Sequence, residues 1–326
     1  VTRALVTGGS GYIGRRLISV LVARGTEVRA TARSQSSADD LRALGADVVP
    51  WSLEDARVPA HLFRAVGTLY HLAAPRRSFD PVRGSARRPG DPALREGTRR
   101  IAEALAKSDA ARMIMTSSYT VYGKVWGEAD ESAPMQGTTP YALARLGAEA
   151  DCRTALADTP SRLVVARLTE TFGPGSPGQM GVLTKIVAGR FRLIGNGRIP
   201  HHMSTADDTV AGLLRCGDQP AAGGRTLNIG SPPRSLRDFV AAASAGIDCP
   251  LRDTPWAGLP ATLLLQLLRS KLRKRALVPR IHEMLDYQLR PRAFPITLSV
   301  RLLGDYAVSD FDGIAALSAQ FVAARR

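Results

Sequence analysis

The chain has 326 residues, 44% of them hydrophobic and 22% charged, which suits one large α/β unit with a second lobe and argues against disorder. The net charge of +15 invites anionic partners. Arginine is scattered over the whole chain, however, and aromatic residues make up only 6% with no basic stripe among them, so no nucleic-acid partner is expected. No apolar run reaches the roughly 18–20 residues that span a bilayer. Strand-like residues begin almost at Val1, without a basic start and cleavage site, so neither a signal peptide nor an integral membrane span is expected and the location expected is cytoplasmic. Cys152, Cys216 and Cys249 are widely spaced, and no disulfide frame or metal site is expected from them.

In chain order, apolar Ala4–Thr7 leads into glycines, and Ile13–Ala23 has helical apolar spacing that ends at Gly25. Val28–Ala32 reads as a strand, Asp39–Leu44 as a helix ending at Gly45, and Val48–Trp51 as a third strand. Leu69–Ala74 is a short apolar run, Gly97–Ala106 a helix, Met113–Ser118 a buried strand, Tyr141–Ala157 a long helix and Leu163–Leu168 a strand. Strands alternating with helices imply parallel crossovers, hence a doubly wound Rossmann sheet. The expected division is a dinucleotide-binding domain over 1–172 and a smaller α-rich substrate lobe over 173–326 that does not fold alone. Two stretches interrupt the rhythm. Pro75–Pro92 holds Arg76, Arg77, Arg83, Arg87 and Arg88 among Pro, Gly and Ser and reads as a long basic loop. Leu259–Arg275 is apolar first and basic last; it reads as a core-facing or dimer-forming helix whose cations suit its C-terminus, with a membrane-surface helix as the alternative. A homodimer is compatible with that reading.

Thr7-Gly8-Gly9-Ser10-Gly11-Tyr12-Ile13-Gly14 follows a strand and opens a helix. In that setting Gly8 permits the tight turn, Gly11 lets backbone approach a pyrophosphate, and Gly14 lets the helix pack close. The phosphates would rest on open N–H groups at the helix start, where Ser10, Tyr12 and Ile13 also lie. The second strand ends in Ala32-Arg33-Ser34 with no carboxylate for ribose hydroxyls. Arg33 is therefore placed to pair with a 2′-phosphate, which makes NADP(H) the expected cofactor and NAD the second choice; otherwise Arg33 is a solvated loop cation.

The glycine spacing resembles that of the extended short-chain dehydrogenase/reductases, the NAD-dependent epimerase/dehydratase family. The likeness continues at His71-Leu72-Ala73-Ala74, Thr116-Ser117-Ser118-Tyr119-Thr120-Val121-Tyr122-Gly123, Tyr141-Ala142-Leu143-Ala144-Arg145 and Arg167-Leu168 through Phe172-Gly173-Pro174-Gly175. Weaker echoes at Gly195-Asn196-Gly197, Asp207-Asp208 and Asn228-Ile229-Gly230 extend it to about residue 240. The resemblance implies hydride transfer at a carbonyl or carbinol, with Tyr141 as the proton-transferring phenol and Ser118 polarising the substrate oxygen. It also implies cofactor contacts at Ser52, Leu53, Leu72, Ala73, Ala74, Tyr141, Arg145, Leu168 and Thr169. A phenol near pKa 10 needs a cation to bring it towards neutrality, and the family normally supplies a lysine one helical turn on. Here that position is Arg145.

Other departures are Ser52 where an aspartate often meets adenine, Leu94 where an asparagine is common, and Tyr119-Thr120 in place of the Asp-Glu pair of sugar-nucleotide dehydratases. Arg33 and the ending Pro295-Ile296-Thr297 … Tyr306-Ala307-Val308-Ser309-Asp310 look more like the 3-beta-hydroxysteroid dehydrogenase and ketoreductase branch. The expected function is an NADP-dependent ketoreductase for a small or lipophilic carbonyl substrate. The alternatives are a sugar-nucleotide 4-ketoreductase or epimerase, and a catalytically silent dinucleotide-binding protein.

Overall fold

The computed structural model describes residues 3–75, 92–172, 184–186, 188, 190–191, 193, 196–247, 290–307 and 311–323. The alternating strand and helix patterns become β1 Arg3–Thr7, α1 Tyr12–Ala23, β2 Val28–Ala32, α2 Gln35–Ala43, β3 Asp47–Pro50, β4 Val66–His71, α3 Pro92–Ala106 and β5 Arg112–Ser118. They continue with β6 Gly127–Glu128, α4 Pro140–Ala155, β7 Leu163–Leu168, β8 Glu170–Phe172, β9 Pro200–His201, β10 Met203–Thr205 and α5 Ala206–Asp218. The last are β11 Thr226–Ile229, β12 Arg234–Ser235, α6 Leu236–Ala245, β13 Arg292–Ala293, α7 Thr297–Leu303 and α8 Phe311–Ala323.

Seven strands form one sheet in the order β11-β7-β5-β4-β1-β2-β3, every pairing parallel. The order reverses at β1, so a crevice opens between β1 and β4 beyond their carboxyl ends, where such sheets bind ligands. Both faces are covered. On one, Leu17, Ile18 and Leu21 of α1 and Leu213 and Leu214 of α5 pack on Val6, Ala30 and Ile114. On the other, Ile101 and Leu105 of α3 and Ala144, Ala148 and Cys152 of α4 pack on Leu5, Leu69, Met113 and Val165. This burial on both sides explains the near-continuous apolar strands. The sheet takes its last strand, β11, from beyond residue 172. Three two-stranded sheets, β8 with β10, β9 with β12 and β6 with β13, lie outside it.

Several boundaries differ from the sequence reading. Helix α2 begins at Gln35 rather than Asp39, because Ser34 caps it by accepting from the Ser37 N–H at 3.3 Å. Helix α3 begins at Pro92 rather than Gly97, proline being well suited to a first helical turn. Strand β4 runs Val66–His71 rather than Leu69–Ala74. The apolar Leu72-Ala73-Ala74 run continues past the last ladder residue as the turn over β1, tied by Leu72 N–H donating to the Thr7 carbonyl at 3.0 Å. No helix among the described residues is long and apolar enough to cross a membrane. The basic loop's Arg76, Arg77, Arg83, Arg87 and Arg88 and the segment 259–275 lie outside the described residues.

Candidate active site

Each expected site residue except the α4 pair lies at or just past the carboxyl end of a sheet strand. Gly8 follows β1 with φ of 74°, a conformation that favours glycine, and a Cβ there would lie 2.6 Å from Ala73 N. A Cβ on Gly14 would come within 2.3 Å of the Gly8 carbonyl oxygen. Backbone thus occupies the space that side chains would need, and α1 lies hard against the turn. Gly11 caps α1 with no side-chain hydrogen bond, and no acid stands in the first turn. The helix start therefore presents backbone N–H groups and positive dipole to an anion, which fits a pyrophosphate. Ser10 is exposed there, its carbonyl accepting from Arg15 Nε at 3.2 Å. Ile13 packs on the core, and Tyr12 donates through its hydroxyl to the Phe172 carbonyl at 3.1 Å. Burial, reinforced by the Asp207 charge, pushes the Tyr12 phenol up to about 12.

Arg33 stands exposed just past β2 and makes no ion pair among the described residues. The nearby acids of α2 are engaged, Asp40 with Arg15 at 2.5 Å and Asp39 with Arg42 at 2.9 Å. Ser52 is held in a turn, its N–H donating to Asp55 Oδ2 at 2.7 Å. Leu53 is buried against α3: its carbonyl accepts from Arg100 Nη2 at 2.8 Å, and a Cβ on Gly97 would lie 2.6 Å from that carbonyl oxygen. Leu94, at the position common for asparagine, is fully buried in the same layer.

Helix α4 starts where Thr139 accepts from the Ala142 N–H at 3.1 Å and Pro140 opens the first turn, a favourable N-terminal pairing of residues. This fixes Tyr141 one turn before Arg145. The Arg145 side chain is buried; its Nη1 donates to the Thr116 carbonyl at 2.7 Å and its Nε to Tyr141 Oη at 3.1 Å. Its guanidinium carbon lies 5.3 Å from the Tyr141 ring centroid. No carboxylate pairs with Arg145 among the described residues. A guanidinium so placed can also donate to a ligand's hydroxyls.

Beneath Arg145 lies His71, fully buried, with Nδ1 2.7 Å from Thr7 Oγ1 and Nε2 3.0 Å from Thr98 Oγ1. Burial first, and the Arg145 charge second, lower its pKa to about 3, so it stays neutral and serves as a strut between β1, β4 and α3. Ser118, at the end of β5, accepts from Thr120 N–H at 3.2 Å and Thr120 Oγ1 at 3.0 Å. Its own hydrogen is left to donate. Leu168 is half-buried at the end of β7. The Thr169 side chain bonds Ser204 Oγ at 2.5 Å, so that hydroxyl is engaged with β10.

Sequence reasoning did not single out the buried polar bridge beneath α4. Glu149 accepts from Ser117 Oγ at 2.5 Å and pairs with Arg167 at 2.9 Å; Arg167 also donates to Tyr122 Oη at 3.1 Å. Burial would raise the Glu149 pKa, but the hydrogen bond and charge of Arg167 outweigh it and hold the carboxyl below its ordinary value. The helical spacing of Tyr141, Arg145 and Glu149 was the available signal.

The chain matches the NAD dependent epimerase/dehydratase family over residues 4–230. It belongs to that family. It is an enzyme of the extended short-chain dehydrogenase/reductase type, which works with a nicotinamide dinucleotide. Over 93% of its length it is 28% identical to 86% of a 4-hydroxy-2-methyl-3-oxo-4-farnesyl-3,4-dihydroquinoline-1-oxide ketoreductase from Stigmatella aurantiaca. Over 78% of its length it is 28% identical to 87% of a UDP-glucose 4-epimerase from Mycolicibacterium smegmatis. The fold matches a UDP-glucuronic acid 4-epimerase from Bacillus cereus, solved with UDP-glucuronic acid and NAD, with TM-score 0.74 at 16% identity over 100% of both chains.

Proposed function

We propose that this enzyme is an NADP(H)-dependent ketoreductase acting on a small or lipophilic carbonyl compound. The observation that carries the reading is the buried Arg145, which lacks a carboxylate partner among the described residues and donates to Tyr141 Oη at 3.1 Å. The bound cofactor supplies hydride to the carbonyl carbon. Tyr141 gives its proton to the carbonyl oxygen, Ser118 donates a hydrogen bond to that oxygen, and Arg145 stabilises the phenolate left behind. Guanidinium has no proton to give at working pH, so Tyr141 is recharged through ribose, water or Ser118 rather than through residue 145. Gly8, Gly11, Gly14 and the α1 start would hold the pyrophosphate, with Ser10, Tyr12 and Ile13 around it. Arg33 would hold the 2′-phosphate, Ser52 and Leu53 the adenine side, and Leu72, Ala73, Ala74, Leu168 and Thr169 the walls of the nicotinamide half. The segments after residue 172 would complete the substrate lobe.

The ketoreductase relative supports the reading by matching nearly the whole chain. A sugar-nucleotide 4-ketoreductase or epimerase is the second reading, favoured by the epimerase relative. It needs cations for a diphosphate from the arginines of 76–100. Of these the described Arg95 pairs with Asp151, Arg99 with Glu96 and Glu103, and Arg100 with the Leu53 carbonyl, the rest lying outside the described residues. Screening ketones for NADPH oxidation tests the proposal. Turnover of an uncharged ketone is the expected result. Tight NADPH binding with no turnover across the panel would leave a silent dinucleotide-binding protein instead.

A further inference from the structure

Ser118 closes β5, and the single helical turn Tyr119–Tyr122 that follows is capped by its side chain. Two donors of one residue converge on the Ser118 hydroxyl oxygen: the Thr120 N–H at 3.2 Å and the Thr120 Oγ1 hydroxyl at 3.0 Å. The first bond is the cap, and any residue but proline at position 120 can make it. The second depends on the side chain and is not needed for the cap.

That turn is seated against the helix that carries Tyr141. The Gly137 N–H donates to the Val121 carbonyl at 2.9 Å, and the Gly123 N–H to the Thr120 carbonyl at 3.1 Å. A Cβ on Gly137 would lie 2.7 Å from the Thr120 carbonyl oxygen and 2.6 Å from Ala142 Cβ. The bare glycine thus lets the backbone at Thr120 close on the first turn of α4, beside the residue that follows Tyr141.

A serine hydroxyl has one hydrogen and two lone pairs. With both lone pairs filled from Thr120, Ser118 can only donate. Its side chain is buried, and among the described residues nothing accepts its hydrogen. A buried donor without an acceptor is costly, which points to an acceptor on a ligand. A carbonyl oxygen fits that need. An alcohol oxygen also accepts, but it carries a hydrogen of its own that Ser118 has no lone pair to take.

We infer that Thr120 is a positioning residue: by filling both lone pairs of Ser118 it holds that hydroxyl as a donor and selects a carbonyl over the alcohol made from it. Tyr141, while it carries its proton, presents a second donor to the same oxygen. The preference favours capture of a ketone on the NADPH form and release of the product alcohol. The inference rests on the ketoreductase reading and adds to it a residue that takes no direct part in the chemistry.

Calorimetric titration tests it without requiring turnover, with the full chain saturated by tetrahydro-NADP, a redox-inert stand-in for NADPH. The probes are uncharged ketones of the screen, each paired with its own alcohol, beginning with acetophenone and 1-phenylethanol. The parent should bind the ketone at least about fivefold tighter than the alcohol. Thr120→Val keeps the branched shape and the backbone N–H but lacks the hydroxyl. It should bring the ratio below about twofold with cofactor affinity unchanged. Thr120→Ser restores the donor and should keep the parental ratio. A ratio unmoved by Thr120→Val, or lost equally in Thr120→Ser, would overturn the inference and leave the ketoreductase reading standing. The expected shift without turnover of any ketone by the parent would refute the ketoreductase reading alone. A panel in which no ketone binds would overturn both.

Discussion

Arg145 is where this chain departs most from the resemblance, and it makes two bonds that a lysine could not make in the same way. A lysine has one nitrogen; the guanidinium reaches the Thr116 carbonyl and Tyr141 Oη through separate atoms, fixing helix and strand together as well as supplying charge. Arg145→Lys should keep the charge beside Tyr141 and preserve or raise the steady-state rate. Arg145→Ala should lower both cofactor affinity and rate. Rates under saturating NADPH check this, and an alanine variant as fast as the parent would remove Arg145 from the chemistry. At Arg33 the expected contact with a 2′-phosphate is charge-assisted and contributes about 1.5–3 kcal/mol. NADPH should then bind about 10–100-fold tighter than NADH, and Arg33→Ala should erase most of the difference. Titrations in which NADH binds the parent equally well would contradict that assignment.

At the scale of elements, the site is held by polar struts that cross strands and helices. His71 links β1, β4 and α3; Glu149 links α4, β5 and β7; His201 ends β9 and His202 stands between it and β10. Three of these groups set an acid response. Burial lowers the pKa of His71 to about 3, His201 to about 3, with Arg292 and His202 adding to the effect, and His202 to about 4. Each folded value lies below the ordinary 6.5, so between those limits the unfolded chain binds protons that the folded chain refuses. Their contribution to stability is complete above about pH 6.5 and is lost as pH falls towards 4. Melting temperature should fall steadily from pH 7 to pH 5, and His202→Phe should flatten part of that slope. A melting temperature constant over that interval would contradict the burial of these rings.

The long elements were legible because two-sided burial writes continuous apolar strands and periodic helices into the sequence; β2 and β7 fall at the residues read. The glycine turn and the Tyr141–Arg145 spacing were legible for the same local reason. The side chains gathered around Arg292 were not, since strands of two or three residues such as β8, β9 and β13 carry no period. Tyr119, Glu170, His202 and Arg292 come together only through chain reversal. Glu170 lay inside a stretch already singled out, but a carboxyl's partner on β13 cannot be read from its neighbours in sequence.

For the whole molecule, which carries a net charge of +15, some of the arginines serve the fold from inside. Arg29 donates to the carbonyls of His61, Leu62 and Arg64, Arg112 to those of Cys216, Gly217 and Gln219, and Arg162 to those of Leu105, Ser108 and Ala110. In each case one terminal guanidinium nitrogen serves carbonyls at turns and helix ends. The proposed function couples proton transfer by Tyr141 to hydride transfer from a nicotinamide. Single-turnover hydride transfer in Tyr141→Phe against its parent, with a ketone from the screen and saturating NADPH, tests that most directly. The variant should keep its NADPH affinity and lose roughly 10²–10⁴-fold in rate; equal rates would mean that Tyr141 is not the acid and that α4 only walls the cofactor.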